Sequence, residues 1–425
     1  MKKLMPCLWI LLLLAALNLP GEDLLLRKGR FYTFDRGILE GYDMLILNGK
    51  IRSIAKGIVN PGKVPERDLK GFSVVPGLID SHNHIALAGE INEVSENITP
   101  EIDMAEQINP DDPNIYYCLT GGVTMVHLLH GSANPIGGRN VTVKLKWGES
   151  AEAMIERRAL PTLKLALGEN PKTATGGKSF PITRMGVAAS IRTAFSQALE
   201  YRKGWEEWRR EAKGRKKAPP SPKRNLRLEV LLEVLEGKRV VRCHTYRAEE
   251  SLELMRIAKE YGFKIQGFEH FHQAYRIADE LAKEKIGLSV FADSWNYKAE
   301  ASEFTPYGFA LLREKGVEIS LNSDLSEAMR RLNIEAGKMV RYAGMERMEA
   351  LKTITLNPAR LLGTDEYVGS LVAGKDADLA VFDGDPLSPT SKCCLTIIEG
   401  KVYFDREEDL RSRSVKRVEE KEATR

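Results

Sequence analysis

A chain of 425 residues with 43% hydrophobic content is long enough for one large globular domain and a smaller one. Lys and Arg total 63 against 59 Asp and Glu, a net charge of +4, which is too balanced to imply a nucleic-acid partner. Of five cysteines two are adjacent, Cys393 and Cys394, and none forms a C-x-x-C pair, so neither a disulfide framework nor a structural zinc site is expected.

Residues 1–21 carry Lys2 and Lys3, an apolar stretch from Leu4 to Leu17, then Asn18, Pro20 and Gly21. A positive start followed by a short apolar run reads as an export signal, too short for a comfortable membrane span. The protein is therefore expected outside the cytoplasm, periplasmic or extracellular. No clear A-x-A follows the run, so retention as an N-terminal membrane anchor is the alternative.

Residues 22–75 are short β-like runs between turns, with Asn48-Gly49-Lys50 as a hairpin signal. Residues 366–405 repeat that style, with Glu399-Gly400-Lys401 as another turn. The two ends predict one small β-sandwich built from both termini. The middle, residues 76–365, alternates apolar strands (124–131, 162–169, 239–245, 264–270, 287–294, 316–324) with amphipathic helices such as 251–262 and 273–285. This rhythm predicts an α/β barrel or a doubly wound sheet. No G-x-G-x-x-G follows the first strand, which weighs against dinucleotide binding. The basic run 209–224 lacks interleaved aromatics and reads as a solvated loop. Residues 204–211, GWEEWRRE, read as an exposed helix with two tryptophans packed on the barrel wall. Residues 406–425 form a charged tail.

Metal-competent side chains fall at predicted strand ends: His82 and His84, Glu169, His244, His270 and Asp324. In a barrel those ends meet on one face, where catalytic groups are found. Residues i and i+2 of a strand point the same way, so His82 and His84 can grip one cation. Neutral imidazole suits zinc at about 2.0–2.1 Å. Glu169 would complete that site or bridge two metals, with His244 and His270 on the second. Such a site lowers the pKa of bound water to about 7. Asp324 would then take the nucleophile's proton and pass it to a leaving amine. A lone histidine at a strand end is more often packed than ligating; four of the seven in these slots shift the balance to a metal site. His127 and His130 belong to the predicted strand 124–131; the structural reading is preferred, with His130 near the strand end facing the substrate as the alternative, and His272 reads as an alternative to His270. Arg139, Arg184, Tyr246, Arg247 and Arg330 are candidates for the barrel mouth, where an arginine would clamp a substrate carboxylate; a loop salt bridge is the equal alternative for each.

The stretches VVPGLIDSHNHI (74–85), LNSD (321–324), TLNPARLLG (355–363) and GSLVAGKDADLAVFDGDP (369–386), with His244 and His270 between them, together resemble the amidohydrolase superfamily. The likeness runs from about residue 24 to 405 and looks closest to imidazolonepropionase-like, often exported members. It implies a distorted (β/α)8 TIM barrel beside a β-sandwich, one or two divalent metals, zinc first, and hydrolysis of a non-peptide C–N bond. By matching positions, His82, His84, His244 and His270 resemble the metal ligands, and Asp324 the catalytic, metal-touching aspartate. Relatives bridge two metals with either a glutamate or a carboxylated lysine. Glu169 is preferred here because its carboxylate needs no modification; Lys164 is the alternative and Lys144 a third. With Lys164 as bridge the expected substrate becomes a dipeptide. A catalytically silent binding protein ranks last, since the full ligand set is present. The expected partner is a small molecule, without nucleic acid.

Overall fold

The computed structural model describes residues 22–173, 178, 180–215 and 218–413. The expected export segment, residues 1–21, and residues 414–425 of the tail lie outside the described residues. Among the described residues no helix is long and apolar enough to cross a membrane.

The N-terminal runs form β1 (Leu24–Thr33), β2 (Gly37–Leu47), β3 (Lys50–Ala55), β4 (Glu66–Asp68) and β5 (Ser73–Pro76). The Asn48-Gly49 turn joins β2 to β3 with both residues at positive φ, 53° and 72°, the conformation a two-residue hairpin of the I′ type demands. The middle supplies β6 (Leu78–Asn83), β7 (Val123–Leu128), β8 (Ile136–Lys144), β9 (Thr162–Ala166), β10 (Val240–His244), β11 (Ile265–Glu269), β12 (Gly287–Val290) and β13 (Ile319–Leu321). The C-terminal end adds β14 (Leu379–Phe382), β15 (Cys393–Ile398) and β16 (Lys401–Asp405).

Two sheets result. The first runs β16-β15-β14-β5-β1-β2-β3, with β4 beside β1, so both ends of the chain share one eight-stranded sheet. Its ten-residue β1 is long enough to pair β4 through Leu25–Arg27 and β5 through Arg30–Phe31. Leu26, Phe31, Met44, Ile46, Val74, Leu379 and Ile397 form that sheet's own core. The second sheet runs β6 to β13 in sequence order and curls until β13 approaches β6. Helices such as Ala248–Tyr261 pack Leu254 and Ile257 on its outside.

The barrel's distortion is concrete. β8 runs antiparallel to both β7 and β9, and the other neighbours are parallel. No sequence signal marked β8 as a strand. It follows β7 after a few residues, without the helix that a parallel crossover requires, so it can only return alongside. All its residues but Arg139 are buried.

Lys144, the third candidate for a bridge, closes β8 at the opposite end from the strand-end histidines and meets the terminal sheet. Its ammonium lies 2.7 Å from Asp376, 2.9 Å from Asp378 and 3.0 Å from Glu399. Those carboxylates hold its pKa above the ordinary lysine value, although burial works the other way. Lys144→Met is expected to destabilise the protein by about 3 kcal/mol or more, because it leaves buried carboxylates facing each other without their cation. Urea denaturation followed by tryptophan fluorescence measures this.

Residues 204–211 lie in the 29-residue helix Arg184–Ala212. Trp205 and Trp208 meet edge to face at 5.5 Å; the Trp208 indole donates to the carbonyl of Pro219 on the returning segment, and Trp205 also meets Tyr201 of its own helix. All four described cysteines are free, with Cys118 and Cys243 buried. The first residues of the tail, 406–413, are helical.

Candidate active site

The strand ends of the barrel open into a cavity of about 760 Å³ lined by His82, His84, Lys164, His244, His270 and Asp324, within the range of small-molecule sites. β6 carries His82 at its penultimate position, and His84 follows the strand's end. Their imidazoles are fixed from behind. His82 Nδ1 meets a Glu269 oxygen at 3.0 Å, and His84 Nδ1 meets the Leu129 carbonyl at 2.8 Å. Nδ1 is therefore the protonated nitrogen on each ring, and Nε2 faces inward with its lone pair. The two Nε2 atoms are 3.4 Å apart.

Asp324 follows β13 in a left-handed conformation, φ 58°, which turns its carboxylate back toward β6. One oxygen lies 3.2 Å from His84 Nε2 and 3.5 Å from His82 Nε2; the other lies 3.8 Å from His270 Nε2. His270 is also left-handed, φ 57°. Such backbone costs about 1–3 kcal/mol at a bulky residue and clusters at functional sites. The rings of His82 and His270 are 4.5 Å apart, and those of His244 and His270 5.3 Å.

Burial pushes the pKa of His82, His244 and His270 well below the ordinary imidazole value, and Lys164 pushes the first two further. They are neutral and can donate lone pairs. The donor atoms of His82, His84 and Asp324 lie within 4.8 Å of one another, close enough for one ion. Among the described residues His270 Nδ1 has no hydrogen-bond partner, and the Asp324 oxygen beside His84 and His82 receives no hydrogen bond, since the Nε2 atoms it faces carry lone pairs. Neutral nitrogens beside a carboxylate, with unsatisfied acceptors, fit a divalent cation.

The preferred bridge, Glu169, is not brought into this group. The turn after β9 carries it past the cavity to open the helix Glu169–Thr173, and its carboxylate is 3.7 Å from Arg184. Lys164 holds the inward position instead, because it sits within β9 rather than beyond it. Its amine is 3.4 Å from His82 Nε2, and burial lowers its pKa to about 8.

Sequence reasoning missed the groups behind the imidazoles. Glu269 is fully buried between His82 and Arg242, whose Nε donates to it at 2.6 Å. Asp80, also fully buried, accepts from the backbone of His82 and from Asn83 and Ser323, tying β6 to the Asp324 turn. Burial pushes its pKa up to about 7. Asp80 stood in view within the PGLID text; Glu269, beside His270, was the signal overlooked.

The remaining candidates find other partners. His127 sits between Thr142 and Thr162, and His130 between the Gly131 carbonyl and the Glu93 amide. His272 is packed among Tyr246, Tyr297 and Phe304. Arg184 is held by Glu250 and Glu300, Arg139 by Asp103, Arg247 by Glu249, and Arg330 lies over Tyr117. Tyr246 does line the cavity.

A barrel of eight strands with imidazoles and a carboxylate gathered at one end, beside a sheet built from both termini, defines the amidohydrolase type of protein. The sequence profile of the amidohydrolase family matches residues 309–418. An amidohydrolase from Thermotoga maritima MSB8 superposes with a TM-score of 0.83 at 34% identity, covering 90% of this chain and 100% of that one. The amidohydrolase tasK of Hapsidospora irregularis is 31% identical over 85% of this chain, which spans 40% of that longer protein. The imidazolonepropionase of Fusobacterium nucleatum is 25% identical over 76% of this chain and 79% of its own. The chain belongs to the amidohydrolase family and is similar to its imidazolonepropionase-like members.

Proposed function

We propose that the protein is a metal-dependent hydrolase that cleaves a non-peptide C–N bond of the cyclic-amide or acyl-amino-acid type. The observation that carries this reading is the convergence of His82, His84, His244, His270 and Asp324 on one cavity. His82 and His84 would hold one cation through Nε2 together with Asp324, and His244 and His270 a second. A divalent ion there, zinc first and manganese, iron or cobalt next, supplies Lewis acidity toward a carbonyl oxygen and acidifies water.

The chain's own groups do the rest. Glu269 and the Leu129 carbonyl hold the two imidazoles in one tautomer, so that no reorientation accompanies reaction. Asp324 accepts the proton of the attacking water. It then delivers that proton to the nitrogen as the C–N bond breaks, leaving a carboxylic acid and an amine, or both on one molecule when the amide is cyclic.

A second reading, a dipeptidase with carboxylated Lys164, is favoured by the inward position of that amine, 3.4 Å from His82 Nε2. Crystallographic density for a carbamate on Lys164 separates the two readings. For the class as a whole the test is metal quantification joined to a screen of hydantoins, lactams, imidazolones and N-acyl amino acids. Chelation is expected to lower turnover at least about a hundredfold, with recovery on adding zinc. Full turnover by metal-free protein would overturn the proposal. We also propose export, on residues 1–21; N-terminal sequencing of the protein secreted by cells tests it.

A further inference from the structure

Three large apolar side chains line the cavity and are more than half exposed: Trp295 at 59%, Tyr297 at 53% and Leu325 at 67%. They stand on the segments after β12 and β13, above the imidazoles. Apolar surface left in water inside a concave site is covered favourably by an apolar ligand, at about 25 cal/mol per Å².

Two lysines line the same space: Lys164 lies deep, against His82, and Lys298 stands on the segment after β12 with the apolar side chains. Lys298 lines the cavity, and its side chain keeps 22% exposure. Its ammonium lies 4.1 Å from the Tyr246 ring centre, and it donates to Asn170 Oδ1 at 3.0 Å. Glu300 stands 3.5 Å away but takes a closer contact from Arg184, at 2.9 Å, and two from the Glu169 amide, at 3.0 and 3.1 Å. Asp293, also lining the cavity, is held by Lys338 at 2.8 Å. Asn170 also approaches His244 Nε2 at 3.4 Å, so Lys298 sits two polar contacts from an imidazole of the site. An anion on Lys298 is thus adjacent to the reaction centre, one apolar wall away from solvent.

We infer that Lys298 and the Trp295–Tyr297–Leu325 wall form a subsite for a carboxylate and an aromatic or aliphatic side chain, so that the substrate is an N-acylated hydrophobic amino acid. This rests on the hydrolase reading above and selects within it. The carboxylate is on the carbon next to the scissile nitrogen, which places it beside the imidazoles, and the side chain lies along the wall. Lys298 is a binding residue and takes no part in proton transfer.

The experiment is calorimetric titration of metal-loaded protein with 3-phenylpropionate and with 3-phenylpropanamide, neither used as a substrate. Wild type is expected to prefer the acid at least tenfold, and K298M to lose that preference with its metal content unchanged. W295A is expected to weaken both probes by about tenfold, in proportion to the ring area uncovered. An acid preference that survives in K298M means the carboxylate is held elsewhere and overturns the inference, as does wild type binding both probes equally or neither. Unchanged affinities in W295A overturn the apolar wall. Hydrolysis of N-acetyl-L-phenylalanine is followed separately. A Lys298-dependent acid preference without turnover of any amide leaves the subsite standing and removes the hydrolase reading. Turnover confined to amides without a carboxylate, equal in wild type and K298M, does the reverse.

Discussion

Replacing His82 with alanine, or Asp324 with asparagine, is expected to abolish hydrolysis while leaving the chain folded. His82 stands on β6 and Asp324 on the turn after β13, and their donor atoms are 3.5 Å apart. Removing either breaks the donor set proposed for one ion. Asp324→Asn keeps the side chain's shape and removes its capacity to accept a proton, so its loss reports on the chemistry rather than on packing. Groups that act as a unit give losses of at least about a thousandfold, whichever is removed. The check is kcat/KM on whichever substrate the screen returns, with far-UV circular dichroism and metal content on the same samples. A folded Asp324→Asn variant retaining a tenth or more of the activity would contradict the proton-transfer role. A folded His82→Ala variant with full metal content and full activity would contradict the ligand role.

The second large effect belongs to a residue that touches no substrate. Glu269 is fully buried, with one oxygen on His82 Nδ1 at 3.0 Å and the other on Arg242 Nε at 2.6 Å. Glu269→Gln keeps the volume and removes the charge. Arg242, itself fully buried, then has no counter-ion, and a buried pair broken on one side costs about 3–5 kcal/mol. The same substitution frees the His82 ring to adopt the wrong tautomer, so zinc affinity is expected to fall about 10–100-fold. Urea denaturation of the metal-free protein measures the first effect, and zinc competition against a chromophoric chelator the second. Adding Arg242→Met to Glu269→Gln is expected to recover part of the stability, since the orphaned charge is gone, without recovering zinc affinity. If stability and affinity recover together, Glu269 acts only through packing.

Local chemistry determined a good deal by itself. Alternation of apolar residues gave the strands near 162, 240, 265 and 287, and the Asn-Gly turn at 48–49 set its hairpin, because period and turn conformation depend on neighbouring residues alone. His82 and His84 were legible as a pair for the same reason, being two apart on one strand. The run Ile136–Lys144 was not, because its direction is decided by the short link to β7 and by the open edges of β7 and β9. Which of the two bridge candidates faces the cavity turned on a single geometric fact. Lys164 lies inside β9 with its side chain in the barrel, whereas Glu169 lies beyond the strand, where the chain has already turned away. Sequence spacing does not record where a strand stops to within a few residues. The supports of the site, Glu269 behind His82 and Asp80 across to Ser323, also needed the closed barrel. They join residues 187 and 243 positions apart, and only tertiary packing brings such groups within hydrogen-bond reach.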